Sequence, residues 1–597
     1  MSISFNESEK VFRLDTPNST YLIGIVDEKG FLGHIYYGKR IPDDNMQYLM
    51  RLPSYPETPA YSRMGDQISF LDSLPTEYPG NGLGDFRESC FSVETKEGYR
   101  ACGITYQSHR IFGGKPKLPG LPATYGEKED CTTLEITCRD EVLNLTVILY
   151  YTAFEKIDAI CRSVCIKNES KEEIKLTRVL SACLDMDNRD FDIITLHGAW
   201  SSERNINRRK LSWGKQGVSS MRGISSHQEQ PFMALAEESA TQTHGQVYAM
   251  NLVYSGNFTA QAQMSQQEYI RMVMGINPEG FCWTLKEGES FQAPEAVLVY
   301  SDTGLNGMTH AFHDLYRGHL VRGPYKDKAR PSLVNNWEAT YFQFDTQKLL
   351  DIAKTAADAG IEMLVMDDGW FGHRDDDTTS LGDWYVNEEK LSGGLKYLVD
   401  EVNKLGLRFG IWFEPEMVSP KSDLYRAHPD YALQIPGREG TLGRNQMVLD
   451  ISRKEVRDCI YDQMYKVLSS ANIEYVKWDM NRALTDVASF SLASDRQGEL
   501  YHRYVLGVYE MQERLISDFP NLLLENCCSG GGRFDAGMLY YSPQIWTSDN
   551  TEAIDRLRIQ EGTALIYPLS SMGAHVAVCP SHTNRRVTPF DTRGLVS

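Results

Sequence analysis

The sequence predicts an α/β chain with a large β domain: a β-sandwich followed by a (β/α)₈-type TIM barrel. Three observations carry that reading. Short apolar or alternating runs separated by polar turns fill roughly the first 320 residues, the texture of a large sandwich. From about Pro331, strand-like runs alternate with longer amphipathic segments, which favours a parallel sheet with helical crossovers. Acidic and aromatic residues then recur where those later runs end.

The elements follow in order. In the first part, runs at 143–151 and 296–300 read as strands, with turn chemistry at 168–171 and 285–288. A helical stretch at 310–319 reads as a linker, so the β domain is expected over 1–325 and the barrel over 326–597. Barrel strands are expected at 333–337, 363–367, 408–412, 475–479, 522–526 and 544–546, with a seventh near 573–576. Helices at 347–359 and 454–471 lie between them.

Composition narrows the function. The chain has 597 residues, long enough to bury several cores without disulfides or a structural metal. Lys+Arg 61 against Asp+Glu 81 gives a net charge of −20, which argues against nucleic acid or an anionic membrane as partner. The start carries no basic and apolar leader, no window has the roughly 18 apolar residues of a membrane span, and the 12 cysteines are irregularly spaced. A cytoplasmic protein with free thiols is expected.

The chemistry sits at the strand ends. Asp367, Glu414, Asp479 and Asp549 stand at or just past such ends, as do Trp337 and Cys527, and barrel enzymes build their sites there. Lys477 and Arg482 flank Asp479 in sequence and would hold it ionised, as a nucleophile requires. Asp549 lacks a basic neighbour and follows Trp546, a setting expected to keep it protonated. One ionised and one protonated carboxyl is the arrangement that glycosidic cleavage needs. Asp367 and Asp368 could be acid/base groups, metal ligands or ligands of sugar hydroxyls, with Trp370 as an apolar face for a ring. The glycine loop at 525–533 lacks a Walker lysine and suggests close backbone approach to a ligand. Neither metal nor cofactor is expected: His575, Cys579 and His582 lack a fourth ligand, and Asp375, Asp376 and Asp377 lack the rest of a calcium loop.

These segments together resemble glycoside hydrolase family 36, the large bacterial α-galactosidases. The resemblance is carried by the MDDGWFG run at 366–372, WFEPEMVSP at 412–420, KWDMNR at 477–482, CSGGGRFD at 528–535 and WTSDNTEAIDR at 546–556. EYPGNGLGDFR at 77–87 and LVYSGNF at 252–258 extend it into the first half. It implies an N-terminal β-supersandwich, and retaining hydrolysis of terminal α-galactosyl units in oligosaccharides such as melibiose and raffinose. Asp479 would be the nucleophile and Asp549 the acid/base, with carboxyl groups about 5–5.5 Å apart. Asp367 and Asp368 would grip the galactose hydroxyls, and Trp337, Trp412, Arg444, Lys477, Asn481, Cys527 and Gly530 would line the same subsite. A homo-oligomer, a tetramer in many members, is implied, with Arg87 and Asp72 in an N-terminal region that touches the neighbour's site. The chain stops where the family continues into an eighth barrel strand and a last β domain, so a truncated product or fragment is expected, with two unpaired sheet edges. The alternatives are an α-N-acetylgalactosaminidase, a galactosyl transferase of the same family, and an inactive carbohydrate-binding fragment.

Overall fold

The computed structural model describes residues 2–26, 29–50 and 71–597. Among them, the N-terminal part forms three antiparallel sheets of four, six and ten strands. Period-2 patterning explains how they close on one core. In Leu145–Phe154 the side chains of Leu145, Val147, Leu149 and Tyr151 are buried, whereas Thr146, Ile148 and Tyr150 between them are half-buried. The smaller sheet, built on Ile174–Asp187 and Tyr269–Ile276, shares this apolar core, which continues into the second part of the chain. A helix at Gly304–His319 then leads to the barrel.

Seven parallel strands follow: β1 (Leu333–Asn335), β2 (Met363–Met366), β3 (Arg408–Phe413), β4 (Tyr475–Trp478), β5 (Leu523–Asn526), β6 (Gln544–Trp546) and β7 (Met572–Gly573). They pair in sequence order, and among the described residues nothing joins β1 to β7. The seventh strand is shorter than expected and ends before His575. Helices cross between strands as anticipated. The helix Thr346–Asp358 buries Leu349, Ala353 and Ala356, spaced four and three apart, and Asp345 caps it by accepting from Lys348 N at 2.8 Å. Among the described residues no helix is long and apolar enough to cross a membrane.

The pairing register sets the level of the site. Phe413 of β3 pairs with Trp478 of β4, and Trp478 with Asn526 of β5, so the residues just beyond them emerge side by side at one rim. Alternation does the rest. Tyr475, Lys477 and Asp479 fall on one side of β4, as do Leu523, Glu525 and Cys527 on β5. Tyr475 and Leu523 pack with Met363, Val365 and Leu333 into a small apolar core, and the polar members of each row stand above it.

Candidate active site

At the carboxyl ends of the strands lies a cavity of about 710 Å³, within the range of small-molecule sites. Trp337, Asp367, Asp368, Trp412, Arg444 and Lys477 line it, together with Asp479, Asn481, Cys527 and Asp549.

Asp479 is 6% exposed and surrounded by donors. Its Oδ2 accepts from Asn481 Nδ2 at 2.8 Å and Trp412 Nε1 at 3.1 Å, and its Oδ1 from Met480 N at 2.9 Å. Burial would raise its pKa. The Lys477 ammonium, hydrogen bonds from Asn481 and Cys527, and the Arg444 guanidinium outweigh burial and hold the carboxyl below its ordinary value. The expectation that Arg482 would help is not met. Arg482 Nη1 turns away to the carbonyls of Thr441 and Gln446, and the second cation is Arg444, which faces Glu414, Asp479, Asp368 and Asp549. Glu414 lies next to this cluster and is 1% exposed; burial and the Asp479 charge push its pKa up to about 7.

Asp367 and Asp368 are each held by different partners. Asn335 Nδ2 donates to Asp367 Oδ2 at 2.6 Å, and Lys477 Nζ donates to the same oxygen at 3.0 Å. Arg374 grips Asp368 through both oxygens, at 3.0 and 2.9 Å. Burial nevertheless leaves Asp368 above its ordinary value. Trp370 offers no sugar platform. It is fully buried among Phe371, Trp384 and Phe413, and its Nε1 donates to the Trp412 carbonyl at 2.9 Å.

Asp549 is half-buried at the rim, between two indoles. Trp546 Nε1 donates to Oδ1 at 3.0 Å and Trp200 Nε1 to Oδ2 at 2.9 Å. The tryptophan expected as an apolar neighbour is therefore also a hydrogen-bond donor. Trp200 comes from the N-terminal part, at the tip of the hairpin Phe191–Ala199 and Ser202–Lys210, and is 60% exposed. That hairpin also supports the loop below. Glu203 Oε2 accepts from Ser548 Oγ at 2.5 Å, and Arg204 donates to the carbonyls of Gly531 and Thr547.

The same packing explains the glycine loop. Gly530 has φ +87°, and a Cβ there would stand 2.7 Å from Asp549 N. At Gly531 and Gly532 the obstacles are Thr547 O and Arg204, then Cys528 O and His227. The glycines admit neighbouring protein, and the side-chain position of Gly530 is taken up by Asp549 N and Glu203. Arg87 and Asp72 are not brought to the cavity of this chain either. Arg87 is buried, its guanidinium spent on Asp85, Asp185 and the carbonyls of Leu71 and Leu74. Asp72 accepts from Phe86 N and Gln266 Nε2.

Sequence reasoning missed Asn335, Arg374, Trp200 and His227. Asn335 and Arg374 sit close to the acidic pair in strand pairing or in sequence. Trp200 and His227 gave no local signal, because their partners are 349 and 302 residues away. Among the described residues no group of three or more His, Cys, Asp or Glu side chains could hold a metal ion.

Known proteins match this architecture along the whole chain. Residues 30–286 match the glycosyl hydrolase family 36 N-terminal domain, and residues 290–597 match melibiase. The α-galactosidase AgaA of Geobacillus stearothermophilus is 50% identical over all of this chain and 82% of its own length. The α-galactosidase Mel36A of Lactobacillus acidophilus is 46% identical, over all of this chain and 81% of its own length. The crystal structure of AgaB from Geobacillus stearothermophilus superposes with a TM-score of 0.98 at 49% identity, covering 100% of this chain and 82% of that one. An AgaA variant crystallised with raffinose gives 0.97 at 49% identity, over 98% and 82% of the two chains. The chain belongs to glycoside hydrolase family 36.

Proposed function

We propose that this site hydrolyses terminal α-D-galactosyl units by double displacement, with Asp479 as nucleophile and Asp549 as acid/base. The protein is an α-galactosidase, and the structures of relatives holding raffinose and stachyose support galactosyl oligosaccharides of that type as substrates. One observation carries the assignment of roles: two carboxyls share a cavity in opposite settings, one buried and held ionised, the other half-buried at the rim.

Asp479 attacks the anomeric carbon while Asp549 passes a proton to the departing glycosidic oxygen. The galactosyl group is left as an ester on Asp479. Asp549, now the base, takes a proton from water, which attacks the same carbon and releases galactose with its α configuration retained. Asp367 and Asp368, fixed by Asn335, Lys477 and Arg374, accept hydrogen bonds from ring hydroxyls. The Trp200 contact lies on the oxygen of Asp549 that takes no bond from Trp546, so an incoming glycosidic oxygen competes with that indole. The 12 free cysteines fit work in a reducing compartment, the cytoplasm in our reading. Proton NMR of the first turnovers on an aryl α-galactoside tests the mechanism. α-Galactose should form first and then mutarotate; β-galactose as first product overturns it.

A further inference from the structure

The WFEPEMVSP run carries two glutamates in contrasting surroundings. Glu416 is fully paired: Arg533 reaches both its oxygens at 2.7 and 3.0 Å, and Trp478 Nε1 and Tyr504 Oη donate at 2.8 Å. Glu414, two residues earlier and equally buried, has no ion-pair partner among the described residues. Its hydrogen bonds converge on Oε1, from the Asn481 backbone N–H and from Gln446 Nε2, each at 2.6 Å.

Those two bonds lead to the nucleophile. Asn481 is the residue whose side-chain amide donates to Asp479 Oδ2, and Glu414 clamps the backbone that aims it. The charged and titratable groups facing Glu414 come from three directions. Asp479 and Arg482 stand beyond β4, Arg444 comes from the loop before Met447–Val448, and the Cys528 thiol comes from beyond β5. The geometry points to Glu414 as a positioning residue for the nucleophile: it fixes the Asn481–Asp479 hydrogen bond and sets a second, ionisable carboxyl beside Asp479. This rests on Asp479 being the nucleophile, as proposed above.

The consequence is kinetic. Asp479 loses its charge when the galactosyl ester forms, and the transition state resembles an oxocarbenium ion. A neighbouring negative charge raises the energy of the ionised ground state and lowers that of the cationic transition state. A protonated Glu414 keeps the hydrogen bonds to Oε1 but supplies no charge. The rate therefore rises as Glu414 ionises, near its pKa of about 7.

Glu414→Gln keeps an acceptor oxygen for both donors, removes the charge and replaces Oε2 with an amide NH₂. In a pH profile of kcat/KM on a nitrophenyl α-galactoside, the wild type should show an ascending limb near neutrality. The E414Q variant should lack that limb, with a plateau about tenfold lower. Gln446→Leu removes a donor to the ionised carboxyl and should move the limb to higher pH, a test that stands even if E414Q fails to fold. An E414Q limb superimposable on the wild type's, or a limb unmoved by Q446L, overturns the proposal. Trapping with a slowly turned-over fluorinated galactoside separates the two readings. An adduct on Asp479 in the wild type upholds the nucleophile whatever Glu414 does. An adduct elsewhere overturns the nucleophile assignment itself.

Discussion

The two carboxyls of the site are built by different parts of the molecule. Asp479 belongs to the barrel alone: Lys477 on its own strand, Trp412 on β3, Asn481 two residues on, and Arg444 from a barrel loop set its charge and orientation. Asp549 is held from both sides of the domain junction, by Trp546 from β6 and Trp200 from the N-terminal hairpin, while Glu203 and Arg204 brace the loop that carries it. The proposed nucleophile is buried and held by four barrel side chains. The proposed acid/base is half-buried, with Trp200 of the N-terminal part against it.

The contrast can be broken in several ways. Asp479→Ala should cost on the order of 10⁴-fold or more in kcat/KM whatever the leaving group, because no covalent intermediate forms. Loss confined to poor leaving groups would break the assignment. Gly530→Ala comes next. It forces a side chain into a +87° backbone and against Asp549 N, so both melting temperature and turnover should fall, by about 1–3 kcal/mol in stability. A variant as stable as the wild type would show that the loop can shift without cost. Trp200→Phe keeps a smaller aromatic ring and deletes the indole N–H that reaches across the domains. Turnover of oligosaccharides should drop by roughly three- to tenfold with folding stability unchanged. An unchanged rate would make the contact incidental.

The last effect concerns the stability of the junction itself. Asp535 is fully buried and accepts from Ser225 Oγ and Ser255 Oγ of the N-terminal part, at 2.6 and 2.7 Å. Burial pushes its pKa up to about 6. Its folded value thus lies above the unfolded one of about 3.9, so its contribution is complete below about pH 4 and is lost as the pH rises to about 6. Denaturant titrations at pH 4.5 and 6.5 should show the wild type losing about 2 kcal/mol more than Asp535→Asn across that interval. Equal losses would exclude Asp535 as the source.

Much of this was legible in the sequence, for a physical reason. A parallel barrel puts strand-end residues at one rim, so Asp367, Asp479 and Cys527, each following an apolar run, announced a shared site. The glycine run announced close approach but not what approaches, and the approach proved to be Arg204 and the Asp549 loop. Trp370 looked like a sugar platform because composition cannot say which side of a strand end an indole takes. Arg482 looked like a partner of Asp479 because sequence adjacency was the only geometry available, whereas Arg444 comes from 35 residues upstream of Asp479. The N-terminal hairpin could not be foreseen at all, since its role exists only once two domains meet.

The division of labour between Asp479 and Asp549 is tested most directly by leaving-group dependence in Asp549→Ala. The account predicts kcat/KM on a nitrophenyl α-galactoside within about tenfold of the wild type, because nitrophenolate departs without a proton. On raffinose the same variant should lose about 10²–10⁴-fold. Equal losses on both substrates would contradict the role of Asp549 as proton donor.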